Sequence, residues 1–328
     1  MEELYISDLD GTLLNSSGVL SHNSIEILNS LIENGLNFTI ATARSLDSAM
    51  PLIGELNLKL PMVLYNGVLV YDPIQKINIH ENFIDKQHKK FIIEAFEQEG
   101  LEPIVFTLNQ LNKPSAFYRT IINPHMAGCT NNRLSQKDKR FNKVDGFSQL
   151  DEPDFKQVNS SSDFHKTISN PHMTNYINNR LSQKDKRFKK VEDFNQALFQ
   201  NVITVISIGD KTTLLAVKNR VENALEIEIH FAEDVYNKEA YWLEFAAPNS
   251  SKKDGVSFLK KQLNAKRTIC FGDNLNDIPM FEIADEKYAT SNAKNELKAI
   301  ATEVIGKNND DAVARFLQNR SQIKNLWV

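Results

Sequence analysis

Cysteine is almost missing from this chain: Cys129 and Cys270 are the only two among 328 residues. Two thiols cannot build a disulfide framework or a cysteine zinc site, and so few fit a reducing compartment. An excess of one charge sign is lacking too. Lysine and arginine number 38 against 42 aspartates and glutamates, a net charge of −4, so no global field draws nucleic acid or anionic membrane. No run approaches the roughly 20 apolar residues that span a bilayer. The amino-terminal MEELYISDLD is acidic and has no apolar h-region, so no signal peptide is expected. These absences leave a cytoplasmic protein with neither nucleic-acid nor membrane partners. The 41% hydrophobic and 24% charged fractions are ordinary for a soluble globular protein, and the length suits two domains.

What is present is an alternation of strands and helices. LYIS (4–7) reads as a strand. SHNSIEILNSLIENG reads as a helix in which Ser21 caps, Ile25, Leu28 and Ile32 share a face, and Gly35 stops. LNFTIAT (36–42) is a second strand, RSLDSAMPLIGEL a helical stretch and LPMVLYNG (60–67) a third strand. The same rhythm returns from 267, where RTICFGD is a buried strand and NDIPMFEIAD a helix, followed by YATSNA and NELKAIATEVI. This predicts an α/β fold, a Rossmann-like doubly wound parallel sheet formed by 1–83 and 248–328. Between them, 84–247 changes character. It opens on the amphipathic helix QHKKFIIEAFEQEG (87–100) and continues through β-like runs and long polar stretches, as an inserted α+β domain would.

Ligands of such sheets sit beyond the carboxyl ends of the strands. The residues expected at those ends are Asp8, Asp10, Thr42, Asn66 and Asp273. Two carboxylates one residue apart, Asp8 and Asp10, repel each other unless a cation lies nearby. An EF-hand is excluded because Gly11 stands fourth from Asp8 where that loop needs a glycine at the sixth position. Taken singly, D-x-D-G could be a solvated loop, G-D-x-x-N-D a polar turn capped by Asp273 or Asn274, and Thr42 an ordinary strand-end threonine. Their joint order and placement argue for one site.

DLDGT, then Thr42, then the lysine of KKDGV, then GDNLND resembles the haloacid dehalogenase superfamily of phosphotransferases. All four of its signature motifs occur in order. The large insert after the third strand and YNG at 65–67 resemble its Cof-type branch, in which 84–247 would be a type IIB cap. The resemblance implies a phosphatase for small phosphorylated metabolites, sugar phosphates among them, working through an aspartyl-phosphate. Asp8 would be the nucleophile and Asp10 the general acid and base. Mg²⁺ would be held by Asp8, the Asp10 backbone carbonyl and Asp273. Phosphate would be bound by Thr42, Lys252, Asn276 and backbone N–H groups at Leu9 and Ala43, with Asp277 and Asn66 supporting them. The family spacing K-x-x-G followed by a β-branched residue selects Lys252 over Lys253. Ala43 stands where relatives commonly carry glycine. A phosphomutase on a sugar phosphate and a catalytically silent metabolite-binding regulator remain alternatives, as do a monomer and a weak homo-oligomer.

One feature lies outside that pattern. NNRLSQKDKRF occurs at 131–141 and again at 178–188, and the likeness extends outward to SAFYRTIINPHM (115–126) against SDFHKTISNPHM (162–173). A unit of 47 residues is thus duplicated in tandem, near 101–147 and 148–194. Two copies are too few for a solenoid. An enlarged cap is the reading, with His125 and His172 as surface or turn residues and the SQKDKRF runs as solvated faces.

Overall fold

The computed structural model describes residues 1–109, 113–119, 170–191, 194, 200–234, 237 and 239–325. The first stretch carries β1 (Glu3–Ser7), α1 (His22–Glu33), β2 (Phe38–Ile40), α2 (Leu46–Ile53), β3 (Met62–Leu64), β4 (Leu69–Asp72) and β5 (Ile77–Glu81). The middle carries α3 (Lys86–Gln98), β6 (Ile104–Leu108), β7 (Pro114–Tyr118), α4 (Pro171–Ser182), β8 (Phe188–Lys190), β9 (Val202–Gly209), α5 (Lys211–Glu222), β10 (Glu228–Glu233) and β11 (Tyr241–Ala246). The last carries α6 (Lys252–Gln262), β12 (Arg267–Gly272), α7 (Ile278–Ile283), β13 (Glu286–Ala289), α8 (Asn295–Ile300), β14 (Glu303–Val304) and α9 (Ala312–Asn325).

Five strands form a parallel sheet in the order β14-β13-β12-β1-β2. A further parallel bridge, Ala41 to Val63, brings β3 alongside. The middle of β1, Leu4 to Ile6, is apolar because both faces of the strand are covered. Tyr5 joins the cluster holding Leu28, Ile32 and Leu317 from α1 and α9, whereas Leu4 and Ile6 join Val256, Leu259, Phe281 and Leu297 from α6, α7 and α8. Ser21 caps α1 by accepting the Ser24 N–H at 2.9 Å. Because β1 lies between β12 and β2, the chain leaves it in the crevice where the strand order reverses, the place where α/β sheets bind ligands.

The third strand is shorter than the predicted 60–67. It ends at Leu64 because Tyr65 (φ 49°), Asn66 (φ 55°) and Gly67 (φ 116°) turn the backbone left-handed, which no strand tolerates. A Cβ on Gly67 would lie 2.1 Å from the Ser251 carbonyl oxygen. The turn leads into an antiparallel sheet of β3, β4 and β5 that the sequence pattern did not separate from the main one.

A separate six-stranded sheet runs β10-β11-β9-β6-β7-β8, antiparallel except for β7 with β8. Helices α3 and α5 cover one face through Ile92, Phe96, Leu214 and Val217, packed with Val105, Val205 and Phe245. Helix α4 covers the other with Met173 and Ile177, among Ile104, Ala116 and Ile206. The duplication therefore contributes from both copies: β6 and β7 belong to the first, α4 and β8 to the second. Each is suited to its position. Ala116 is fully buried in β7, where the second copy has Asp163, and Ile177 is fully buried in α4, where the first has Thr130. Tyr176, edge-on to Trp242 at 5.1 Å, has Cys129 as its counterpart. Residues 120–169, His125 and Cys129 among them, lie outside the described residues. Lys184, Lys186, Lys189 and Lys190 of the second SQKDKRFKK are exposed, and His172 sits at the start of α4 with its N–H accepted by the Asn170 cap.

Candidate active site

Asp8 leaves the carboxyl end of β1 with its N–H donated to the Phe271 carbonyl at 3.0 Å, so it stands between β1 and β12. Its side chain is buried. The next residues turn at Asp10 (φ −76°, ψ 117°) and Gly11 (φ 80°, ψ −4°), a type II turn that needs positive φ at its second corner. Glycine has a second reason to be there: a Cβ on Gly11 would lie 2.3 Å from Asp273 Oδ2. Thr12 donates its hydroxyl to Asp273 Oδ1 at 3.1 Å. The Leu9 side chain is fully buried in the core, so only its backbone is available to a ligand.

Lys252 begins α6 and is 1% exposed. Its Nζ donates at 2.6 Å to Asp8 Oδ1 and at 2.6 Å to Asp277 Oδ1. Lys253, the neighbouring candidate, points outward to Glu282 at 3.7 Å. The helix can bring Lys252 so far inward because Gly255, one turn on, presses against β3 and the 65–67 turn. A Cβ there would lie 2.4 Å from Val63 Cγ1 and 3.3 Å from the Gly67 Cα. The K-x-x-G spacing is thus a packing requirement.

Asp277 is fully buried. Besides the lysine, it accepts the N–H groups of Asp273 and Asn274 at 2.9 and 3.0 Å on Oδ2, which ties the loop after β12 into a tight turn. Gly272 makes room, since a Cβ there would lie 2.8 Å from the Asp277 carboxylate. One carboxylate oxygen each of Asp8, Asp273 and Asp277 lie within 4.8 Å of one another. Three acids face one ammonium. Burial pushes Asp8 well up from the usual carboxylate range, with Asp277 and Asp273 adding to the shift and Lys252 opposing it. Burial, then the Asp277 charge, pushes Asp273 up to about 6. Lys252 is itself raised: the two carboxylates outweigh its desolvation.

The other expected residues flank this cluster. Thr42, buried at the end of β2, accepts the Arg44 N–H on its hydroxyl at 3.1 Å. Ala43 is exposed in the loop between them. Asn276 donates its amide to Asn66 Oδ1 at 3.2 Å, joining the loop after β12 to the left-handed turn after β3. The Asp10 side chain does not join the acidic cluster. It lies half-exposed and is gripped by Arg44, whose Nε and Nη2 donate to its two oxygens at 2.7 and 2.6 Å. Sequence reasoning missed Arg44. The available signal was a basic residue two places after Thr42, where the chain turns off β2 beside Asp10.

Comparison with known proteins shows the family. The profile of the haloacid dehalogenase-like hydrolases matches residues 5–317. The phosphatase YwpJ of Bacillus subtilis is 25% identical over 97% of this chain and 99% of its own. A phosphoglycolate phosphatase of Sulfurisphaera tokodaii is 45% identical over 71 residues, 21% of this chain and 31% of that one. In fold, the chain is similar to a haloacid dehalogenase-like hydrolase from Bacteroides thetaiotaomicron, with a TM-score of 0.67 and 18% identity over 97% of this chain and 99% of the other. With the profile spanning both outer segments and the middle of the chain, this protein belongs to the haloacid dehalogenase-like hydrolases.

Proposed function

We propose that the chain is a Mg²⁺-dependent phosphatase that hydrolyses small phosphomonoesters, sugar phosphates among them, through an aspartyl-phosphate on Asp8. The observation that carries this reading is the buried Asp8–Lys252–Asp277 bridge at the carboxyl end of β1. It sets a nucleophilic carboxylate and a fixed cation at one point, which a phosphate dianion requires of an anionic attacker. We read 1–83 with 248–328 as the catalytic core and 84–247 as its cap. The two connecting segments meet where the Asn82 side chain donates to the Pro248 carbonyl at 2.6 Å, which supports boundaries there.

The donor set fits Mg²⁺. Every candidate ligand is an oxygen, as that ion prefers, and Asp277 is committed to Lys252 and two backbone N–H groups. That leaves the carboxylates of Asp8 and Asp273, with the Asp10 carbonyl, to hold the ion. When bound, it supplies positive charge to the phosphoryl oxygens and the nucleophile.

An Asp8 oxygen attacks phosphorus in line. The new P–O bond forms as the bond to the leaving oxygen breaks, and Asp10 gives that oxygen its proton. Asp10 then takes a proton from water as the water attacks phosphorus. The Asp8–phosphorus bond breaks, returning the Asp8 carboxylate and inorganic phosphate. Lys252 keeps its bond to Asp8 through both steps and balances the charge that passes from nucleophile to phosphoryl group. The Thr42 hydroxyl, the N–H groups of Leu9 and Ala43, and the Asn276 amide orient the phosphoryl oxygens.

The reading is tested by incubating the purified protein with Mg²⁺ and a panel of phosphorylated metabolites. Free phosphate is the expected product, and D8N should release none. An isomerised sugar phosphate without phosphate release makes the protein a mutase. Silence across the panel and on p-nitrophenyl phosphate supports a regulator and overturns the hydrolase.

A further inference from the structure

Arg44 has no role in the scheme above, yet it is the described partner of the Asp10 side chain. We propose that Arg44 is a positioning residue that fixes the Asp10 carboxylate in place for proton transfer, an inference that rests on the reading of Asp10 as the acid and base. Asp10 sits at the outer corner of a turn with about half of its side chain exposed. Apart from Arg44, no described residue hydrogen-bonds to its carboxylate. A carboxylate so placed would sample several rotamers, and displacement of a catalytic group by about 1 Å costs roughly a hundredfold in rate.

Arg44 is suited to prevent that. Its own backbone is tied on both sides, with the N–H given to the Thr42 hydroxyl at 3.1 Å and the carbonyl accepting the Tyr65 N–H at 3.1 Å. Its planar fork meets both oxygens of Asp10, which fixes the plane of the carboxylate as well as its distance. A lysine presents a point charge and cannot do this. The pair joins the turn after β1 to the loop after β2, so two walls of the crevice are held in register at the proton-transfer group. The plainer reading is a surface ion pair. Pairs this exposed add little to stability, so the two readings separate in kinetics.

R44A, R44K and D10N are compared with the wild type on p-nitrophenyl phosphate, an activated ester, and on glucose 6-phosphate, a poor leaving group, with Mg²⁺ present. D10N controls for the underlying assignment: wild-type turnover in D10N removes the acid and base role, and the positioning role with it. With D10N impaired, R44A is expected to lose about tenfold to a hundredfold in kcat on glucose 6-phosphate. On p-nitrophenyl phosphate it should give a burst of one p-nitrophenol per enzyme followed by slow turnover, because dephosphorylation still needs Asp10. Methylguanidinium should restore part of the R44A rate, and R44K should remain impaired, with thermal melts close to the wild type throughout. An R44A variant with wild-type kcat on both esters, or one altered in KM alone, overturns the proposal.

Discussion

Replacing Lys252 by methionine keeps most of the length of the side chain and removes its charge. In the folded protein its Nζ is the cation between Asp8 and Asp277, 2.6 Å from an oxygen of each, and the side chain is fully buried. The variant therefore leaves two buried carboxylates facing each other with their shared partner gone. Breaking a buried ion pair from one side costs about 3–5 kcal/mol, and removing a fixed charge from a phosphoryl-transfer site costs about 10²–10³ in kcat. K252M should lose both amounts, read as a fall in the urea midpoint and as the rate of p-nitrophenyl phosphate hydrolysis with Mg²⁺. K253M is the control, since that side chain is 46% exposed and lies 3.7 Å from Glu282. It should move stability by less than about 1 kcal/mol and leave turnover within about twofold. Adding D277N to K252M removes one of the two stranded charges, so part of the stability should return while activity stays lost. K252M hydrolysing within tenfold of wild type, or K253M suffering equally, would refute the charge-bridge argument.

D8N should retain a folded protein with undiminished thermal stability, because burial already disfavours the Asp8 charge, while p-nitrophenol release falls at least about a thousandfold. Asp273, pushed up to about 6, has a folded pKa above its unfolded one. Its contribution to stability is thus fully present below about pH 4 and lost as pH rises through 6. Melts of chelator-treated protein between pH 5 and 7 should show this as a falling Tm that D273N flattens, and Mg²⁺ should raise the wild-type Tm at pH 7 and not that of D273N. Deleting 120–166 joins Arg119 to Thr167, the counterpart of Thr120 in the second repeat, and keeps β7, α4 and β8. A soluble variant that melts within a few degrees of wild type and hydrolyses p-nitrophenyl phosphate is expected, and an insoluble one refutes the view that a single repeat unit completes the cap sheet. Deleting 148–194 instead puts Thr130 and Cys129 in place of Ile177 and Tyr176, and should lower the melting temperature by more.

The sequence by itself determined the main strands and helices and the polar residues at their ends, because periodicity, caps and apolar runs act between near neighbours. β1, β2 and β12 fall where the apolar runs lie, with Asp8, Thr42 and Asp273 at or just past their ends. The choice of Lys252 over Lys253 came from the family's K-x-x-G spacing, and the packing of Gly255 on β3 gives that interval its physical reason. Three matters were decided by tertiary structure alone. Arg44 and Asp10 are 34 residues apart, and only the adjacency of β1 and β2 makes them partners. Asp277 has the residue type of a ligand, but the folded loop commits it to Lys252 and two backbone N–H groups. In the repeat, near-identical segments compete for the same places. The buried neighbours of Ala116 and Ile177, gathered from distant strands, set which copy fills each place, because the cost of a buried carboxylate or an underfilled core is paid only after those neighbours assemble.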